Sequence, residues 1–260
     1  MSPLNITTVQ TYLNWEHVDE NLKHFSMVLD NIKEATDIIV LPEMFTTGFT
    51  MKPEQLAEEH GGKGLQWMQE KAREKKCVIV GSISVKQDGI YFNRLYWVNP
   101  DGSYQFYNKR HLFRMGNEHQ HYAAGDQKLV IEYKGWKVCP LICYDLRFPV
   151  WSRNIKSEQY DVLIYVANWP EVRNYPWKQL LVARAIENQC YVVGVNRIGK
   201  DGNLIQHSGD SVVLNPRGEI MSETKAHEDK SETVSLDYVY LSDFRKAFPV
   251  MMDADDFDIR

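Results

Sequence analysis

The sequence predicts a layered α/β fold with mixed sheets, and three observations carry that prediction. Apolar runs of β type recur along the whole chain, stretches with a 3.6-residue apolar period lie between some of them, and hairpin-type turn residues separate others. The first run, NITTVQTYL, leads into a helical pattern over Glu16–Glu34 and then into DIIVLPEM. A second helical pattern, Leu65–Lys75, precedes CVIVGSISV, which QDG turns back into IYFNRLYWV, and NPDG at Asn99–Gly102 turns the chain again. KLVIEY and KVCPLICYD flank the YKGW turn at Tyr133–Trp136, and YDVLIYVANW, a helical pattern over Trp177–Gln189 and QCYVVGVNRIG follow. KDGN at Lys200–Asn203 and NPRG at Asn215–Gly218, inside DSVVLNPRGEI, supply two more turns. Helical crossovers join parallel strands and tight turns join antiparallel ones, so the sheets are expected to be mixed. With no internal repeat, linker or low-complexity stretch, one domain over residues 1–260 is expected, with acidic residues 249–260 as a surface tail or an arm on a partner subunit.

Composition narrows the function classes. Hydrophobic residues make up 43% and charged residues 25%, with 7 Trp and 14 Tyr, which is globular. A net charge of -5 gives no general attraction to a polyanion, so neither nucleic acid nor an acidic membrane is an expected partner. An anionic ligand therefore has to be held by local cations. The N-terminus lacks a basic segment followed by an apolar one, and nowhere do about 18 apolar residues run together, so a soluble cytoplasmic protein is expected. The four cysteines, Cys77, Cys139, Cys143 and Cys190, suit reduced thiols better than a disulfide framework.

Cys139 and Cys143 stand four residues apart in VCPLICYDLRFP. Extended, that separation spans roughly 13 Å at about 3.3 Å per residue. A disulfide needs Cα atoms within about 7 Å, and one zinc draws its thiolates to about 2.3 Å, so an extended pair serves neither. Two core thiols remain one reading. The other takes Cys143 as a nucleophile, because it sits where the apolar run ends and RFP reads as a helix entry, a junction that can also offer the Tyr144 backbone N–H to an oxyanion. A histidine base from RHLFRMGNEHQHY, with His111, His119 and His121, stays open beside the carboxylate of Glu43, and those histidines show no fixed metal-ligand spacing, so no metal is expected.

Taken together, LPEMF, NKRHLF and ICYDLRFP resemble the three signature segments of the nitrilase superfamily of carbon–nitrogen hydrolases, in the right order, and the match runs from ITTVQTYL to about YVYLSDF. The resemblance implies a four-layer α-β-β-α sandwich and a catalytic set of Glu43, Lys109 and Cys143, with Glu118 at a fourth family position. HLFRMGNEHQHYAAGD and NWPEVRNYPW look most like the omega-amidase branch, which hydrolyses the terminal amide of 2-oxo acid monoamides such as 2-oxoglutaramate and 2-oxosuccinamate. It also implies at least a homodimer, with no cofactor.

On that basis Glu43 is expected to shuttle the proton, and Lys109 to act as a fixed cation that lowers the thiol pKa and meets the oxyanion together with the Tyr144 N–H. Glu118 is expected to hold Lys109 or the substrate amide. Its alternative is a surface charge in a polar loop. Arg173 is the first candidate for the substrate carboxylate, with Arg147 and Arg114 as rivals; Arg147 is expected to pair with an internal carboxylate, and Arg184 with Glu187 along a helix. Trp169, Phe45 and Tyr144 are expected to wall the pocket, and Asp145 and Asn168 to fix turns. The same triad fits other amides, a nitrile or an N-carbamoyl substrate, and a non-catalytic binding module is the reading from a different class.

Overall fold

The computed structural model describes residues 1–257, so the end of the predicted tail, 258–260, lies outside the described residues. The first half of the chain supplies β1 (Leu4–Gln10), α1 (Val18–Asn31), β2 (Ile38–Val40), α2 (Pro53–Leu56), β3 (Glu58–Glu59), α3 (Lys63–Lys75), β4 (Val78–Gln87), β5 (Ile90–Val98), β6 (Tyr104–Asn108) and α4 (Glu118–His121). The second half adds β7 (Ile131–Tyr133), β8 (Trp136–Ile142), β9 (Val162–Ala167), α5 (Asn174–Asn188), β10 (Tyr191–Asn196), β11 (Ile198–Lys200), β12 (Gln206–Ser208), β13 (Val212–Leu214), β14 (Lys230–Leu236) and α6 (Tyr238–Ala247). Among these, no helix is long and apolar enough to cross a membrane.

Two sheets face each other. One runs β14-β1-β2-β4-β5-β6 with β3 beside β4, the other β13-β10-β9-β8-β7, and β11 and β12 form a separate hairpin. Both sheets are mixed: β1, β2, β3 and β4 pair in parallel, as do β8, β9 and β10, while β5, β6, β7, β13 and β14 pair antiparallel. Strand alternation divides the apolar residues of the first sheet between two cores. Ile38 and Val40 face inward to the layer shared with the second sheet, and Ile39 and Leu41 face outward. That outer face is covered by Leu22, Phe25 and Leu29 of α1 and by Leu65 and Met68 of α3. The second sheet is covered by α5 through Trp177, Leu181 and Ala185, spaced for one helical face, and by Leu241 of α6. Each such side chain contributes roughly 1.5–3 kcal/mol on full burial. The result is the expected α-β-β-α sandwich.

Three local readings differ from the sequence. RFP does not open a helix: the 3-10 turn Cys143–Arg147 closes on its arginine, and Pro149 follows the close of that turn. The β14 strand carries no apolar run, because it lies at a sheet edge with one row of residues half exposed. The start of the predicted tail is ordered as a short 3-10 turn, Val250–Met252, after Phe248 accepts a hydrogen bond from the Gln189 side chain at 2.8 Å.

The close fit of α5 over β10 gives the fold its clearest test. A Cβ on Gly194 would lie 2.6 Å from Leu181 Cδ1 and 3.0 Å from Trp177 Cζ2. Gly194→Val is expected to destabilise the protein by about 1–3 kcal/mol through overpacking, measured as a lower midpoint in urea with an unchanged slope.

Candidate active site

Strand ends from both sheets converge on one point. Glu43 lies three residues beyond β2, Lys109 follows β6 directly, Cys143 follows β8, and Asn168 follows β9. Cys143 has φ +44°, a left-handed conformation that a residue with a side chain adopts at a cost on the order of 1–3 kcal/mol. The surrounding bonds fix that turn. Asp145 Oδ2 accepts from the Ile142 N–H at 3.0 Å and from the Tyr107 hydroxyl at 2.8 Å, while Oδ1 accepts from the His111 N–H at 3.0 Å and lies 2.8 Å from His111 Nδ1. From the far side Arg184, already paired with Glu187 at 2.9 Å, donates to the Leu146 carbonyl at 2.6 Å. Asp145 thus ties the turn to the β6–α4 loop as well as to its own backbone, and His111 is taken up as its partner.

The charged groups behind the sulfur are fully buried. Lys109 Nζ donates to Glu43 Oε1 at 2.9 Å and to the two oxygens of Glu118 at 3.0 and 2.9 Å, and all three side chains have no exposure. Asn93 Nδ2 bridges the same carboxylates at 2.8 and 3.2 Å. Glu43 Oε2 accepts from the Asn168 N–H at 2.8 Å, and Glu118 Oε2 from the Phe113 N–H at 2.6 Å. Glu118 is therefore no surface charge: it holds Lys109 in place.

This packing decides the protonation of the site. Burial works against the Lys109 ammonium, but Glu118 and Glu43 outweigh it and its pKa is raised. Burial raises the Glu118 pKa, with Lys109 opposing and Glu43 adding to the rise. For Cys143, burial and the neighbouring Glu43 raise the pKa well above the ordinary thiol value, and Lys109 pulls the other way without prevailing. Lys109 thus lowers the thiol pKa as expected, but burial and Glu43 outweigh it. Lys109 is paired with two carboxylates, and the net rise leaves the resting group a neutral thiol.

Cys143 opens on a pocket of about 520 Å³. The other three cysteines are buried away from it and none is in a disulfide. Trp169, Arg173 and Tyr144 line the pocket as expected, whereas Phe45 does not: it packs against Phe25 and Trp67 on the outer face of the first sheet. The turn after β2 explains the miss, since the positive φ of Met44 turns the residue two positions after Glu43 away from it. Arg147 also lines the pocket, its guanidinium 5.0 Å over the Trp169 ring; its expected pairing with an internal carboxylate is not made among the described residues. Arg114 is not among the lining residues. Sequence reasoning missed Asn93, the Phe113 N–H and the wall formed by the β11–β12 hairpin. Asn93 alone left a signal, as an amide inside the apolar run IYFNRLYWV.

Comparison with known proteins agrees with this geometry. The chain is 46% identical to the omega-amidase YafV of Escherichia coli strain K12 over 259 residues, 99% of each chain. It is 32% identical to the 2-oxoglutaramate amidase of Bacillus subtilis strain 168, covering 95% of this chain and 96% of that one. The structure superimposes on XC1258 of Xanthomonas campestris, a CN-hydrolase superfamily protein with an arsenic adduct in its active site, with a TM-score of 0.97, 40% identity and 100% of both chains covered. The carbon-nitrogen hydrolase family model matches residues 5–246, and with the sandwich and the strand-end site this places the chain in the carbon–nitrogen hydrolase family.

Proposed function

We propose that this enzyme hydrolyses the terminal amide of 2-oxo dicarboxylic acid monoamides, such as 2-oxoglutaramate and 2-oxosuccinamate, to the acid and ammonia through a cysteine thioester. The observation that carries the reading is the buried Glu43–Lys109–Glu118 cluster at the foot of a pocket that presents a thiol and two arginines. The similarity to omega-amidases over the full chain supports the choice of substrate.

The neutral thiol fixes the order of proton transfers. As Cys143 Sγ attacks the amide carbon, its proton passes to Glu43, which is within hydrogen-bonding reach. The carbonyl oxygen becomes an oxyanion, met by Lys109 and by the Tyr144 N–H in the first turn of the 3-10 segment, where backbone donors lack an intrahelical acceptor. Collapse breaks the carbon–nitrogen bond, Glu43 returns the proton to nitrogen, and ammonia leaves a thioester. Glu43 then takes a proton from water, the hydroxide attacks the thioester, and the proton returns to sulfur as the acid departs. Glu118 and Asn93 are positioning residues that hold Lys109 and Glu43. Arg173 receives the substrate carboxylate, and Trp169 forms a pocket wall. A homodimer or larger assembly in the cytoplasm completes the reading.

Ammonia release tests it directly: turnover is expected with 2-oxoglutaramate well above glutamine, asparagine or a simple nitrile, and a preference for the nitrile overturns the substrate assignment. Cys143→Ala and Glu43→Gln are expected to abolish turnover in a protein that still folds, and full activity in either removes the mechanism. Lys109→Met is expected to lower the rate by at least about 10²–10³, the usual loss for one oxyanion donor. Iodoacetamide is expected to label Cys143, which opens on the pocket with a base in reach, far ahead of the buried Cys77, Cys139 and Cys190; equal slow labelling of all four favours a binding module.

A further inference from the structure

The pocket holds two arginines whose charge nothing neutralises. Among the described residues, the ion pairs made by arginines are those of Arg153, Arg184 and Arg245, and neither Arg147 nor Arg173 makes one. Each instead rests on an aromatic face. The Arg147 guanidinium lies 5.0 Å over the Trp169 ring, and that of Arg173 lies 5.4 Å over the Phe113 ring with Nη1 3.9 Å from Met115 Sδ. An aromatic face holds a guanidinium flat without cancelling its charge, which leaves the N–H edge free for an anion. The one carboxylate that lines the same pocket, Asp201, uses Oδ1 for the N–H groups of Asn203 and Ile205 in its own turn.

Trp169 couples the two cations. Its face carries Arg147, and its Nε1 donates to the Arg173 carbonyl at 2.7 Å. Arg147 also ends the 3-10 turn that begins at Cys143, so its backbone is fixed relative to the sulfur by the same hydrogen bonds that fix the turn. The outer walls are apolar, with Met115, Val172 and Leu204 at the mouth. In such surroundings an arginine–anion contact is stronger than it is in open water.

Resting on the substrate reading above, we infer that Arg147 is a specificity-determining residue that reads the 2-oxo group. A 2-oxo acid places a keto oxygen and a carboxylate oxygen side by side in one plane, a pair of acceptors that matches the guanidinium fork. Arg173 takes the carboxylate from the other side, and Trp169 is the positioning residue for both. An acid amide without the keto group satisfies Arg173 and leaves Arg147 half used. A neutral amide engages neither.

Three amides of equal chain length separate these contributions: 2-oxoglutaramate, glutaramate without the keto group, and pentanamide with neither group. The wild type is expected to rank them in that order by kcat/KM. Arg147→Ala is expected to lower the ratio of 2-oxoglutaramate to glutaramate by about 10–100-fold, with Arg147→Lys failing to restore it because the ammonium has no fork. Arg173→Ala is expected to lower both acids relative to pentanamide. If Arg147→Ala slows all three amides equally, or leaves the ratio unchanged while the wild type turns over 2-oxoglutaramate, Arg147 serves only the nucleophile turn and the inference is wrong. A wild type that ignores 2-oxoglutaramate overturns the substrate reading as well.

Discussion

Everything in the site depends on one constraint, an ammonium and two carboxylates sealed away from water. Buried charges persist only when paired and hydrogen-bonded, and removing one partner of such a set typically costs about 3–5 kcal/mol. Lys109 therefore cannot move without stranding Glu43 and Glu118, and neither carboxylate can turn away without stranding Lys109. Asn93 adds one amide that touches both carboxylates, and the Asn168 and Phe113 N–H groups take the remaining oxygens. Preorganisation here is the consequence of satisfying buried polarity, and the same bonds aim Glu43 at the sulfur.

The same constraint explains why the thiol stays protonated. Full burial and an adjacent carboxylate both disfavour a thiolate and outweigh the pull of Lys109. The arrangement differs from sites in which an unshared cation makes a free thiolate. A neutral thiol next to a carboxylate base becomes a nucleophile as its proton leaves to that base, at the moment of attack.

Much of this was legible in the sequence, and the gaps have physical causes. Apolar runs and turn residues gave the strands and hairpins because each strand of a sandwich must bury at least one face. The junction at Cys143 was visible because the run changes character there, and the three signature segments tied it to Glu43 and Lys109. Glu118 could be read two ways, since burial of a short polar helix depends on what closes over it. Phe45 was misplaced because the chain reverses at Met44, a backbone conformation that no side-chain pattern announces. Arg147 was assigned a carboxylate partner on charge alone, whereas its actual support is an aromatic ring from another loop. Asn93 acts through a cross-sheet contact to residues 50 and 25 positions away, which periodicity does not encode.

The division of the site between the two sheets also bears on how the chain comes to be active. Glu43, Asn93, Lys109 and Glu118 all belong to the first half of the chain, and Cys143 and Asn168 to the second. The first sheet itself is closed only when β14, near the end of the chain, pairs along β1 from Leu4↔Leu236 to Gln10↔Lys230. A chain that ends before β8 holds the acid–ammonium–acid residues without the nucleophile. The nucleophile and its base stand on different sheets, so the reactive centre exists only where both sheets are present.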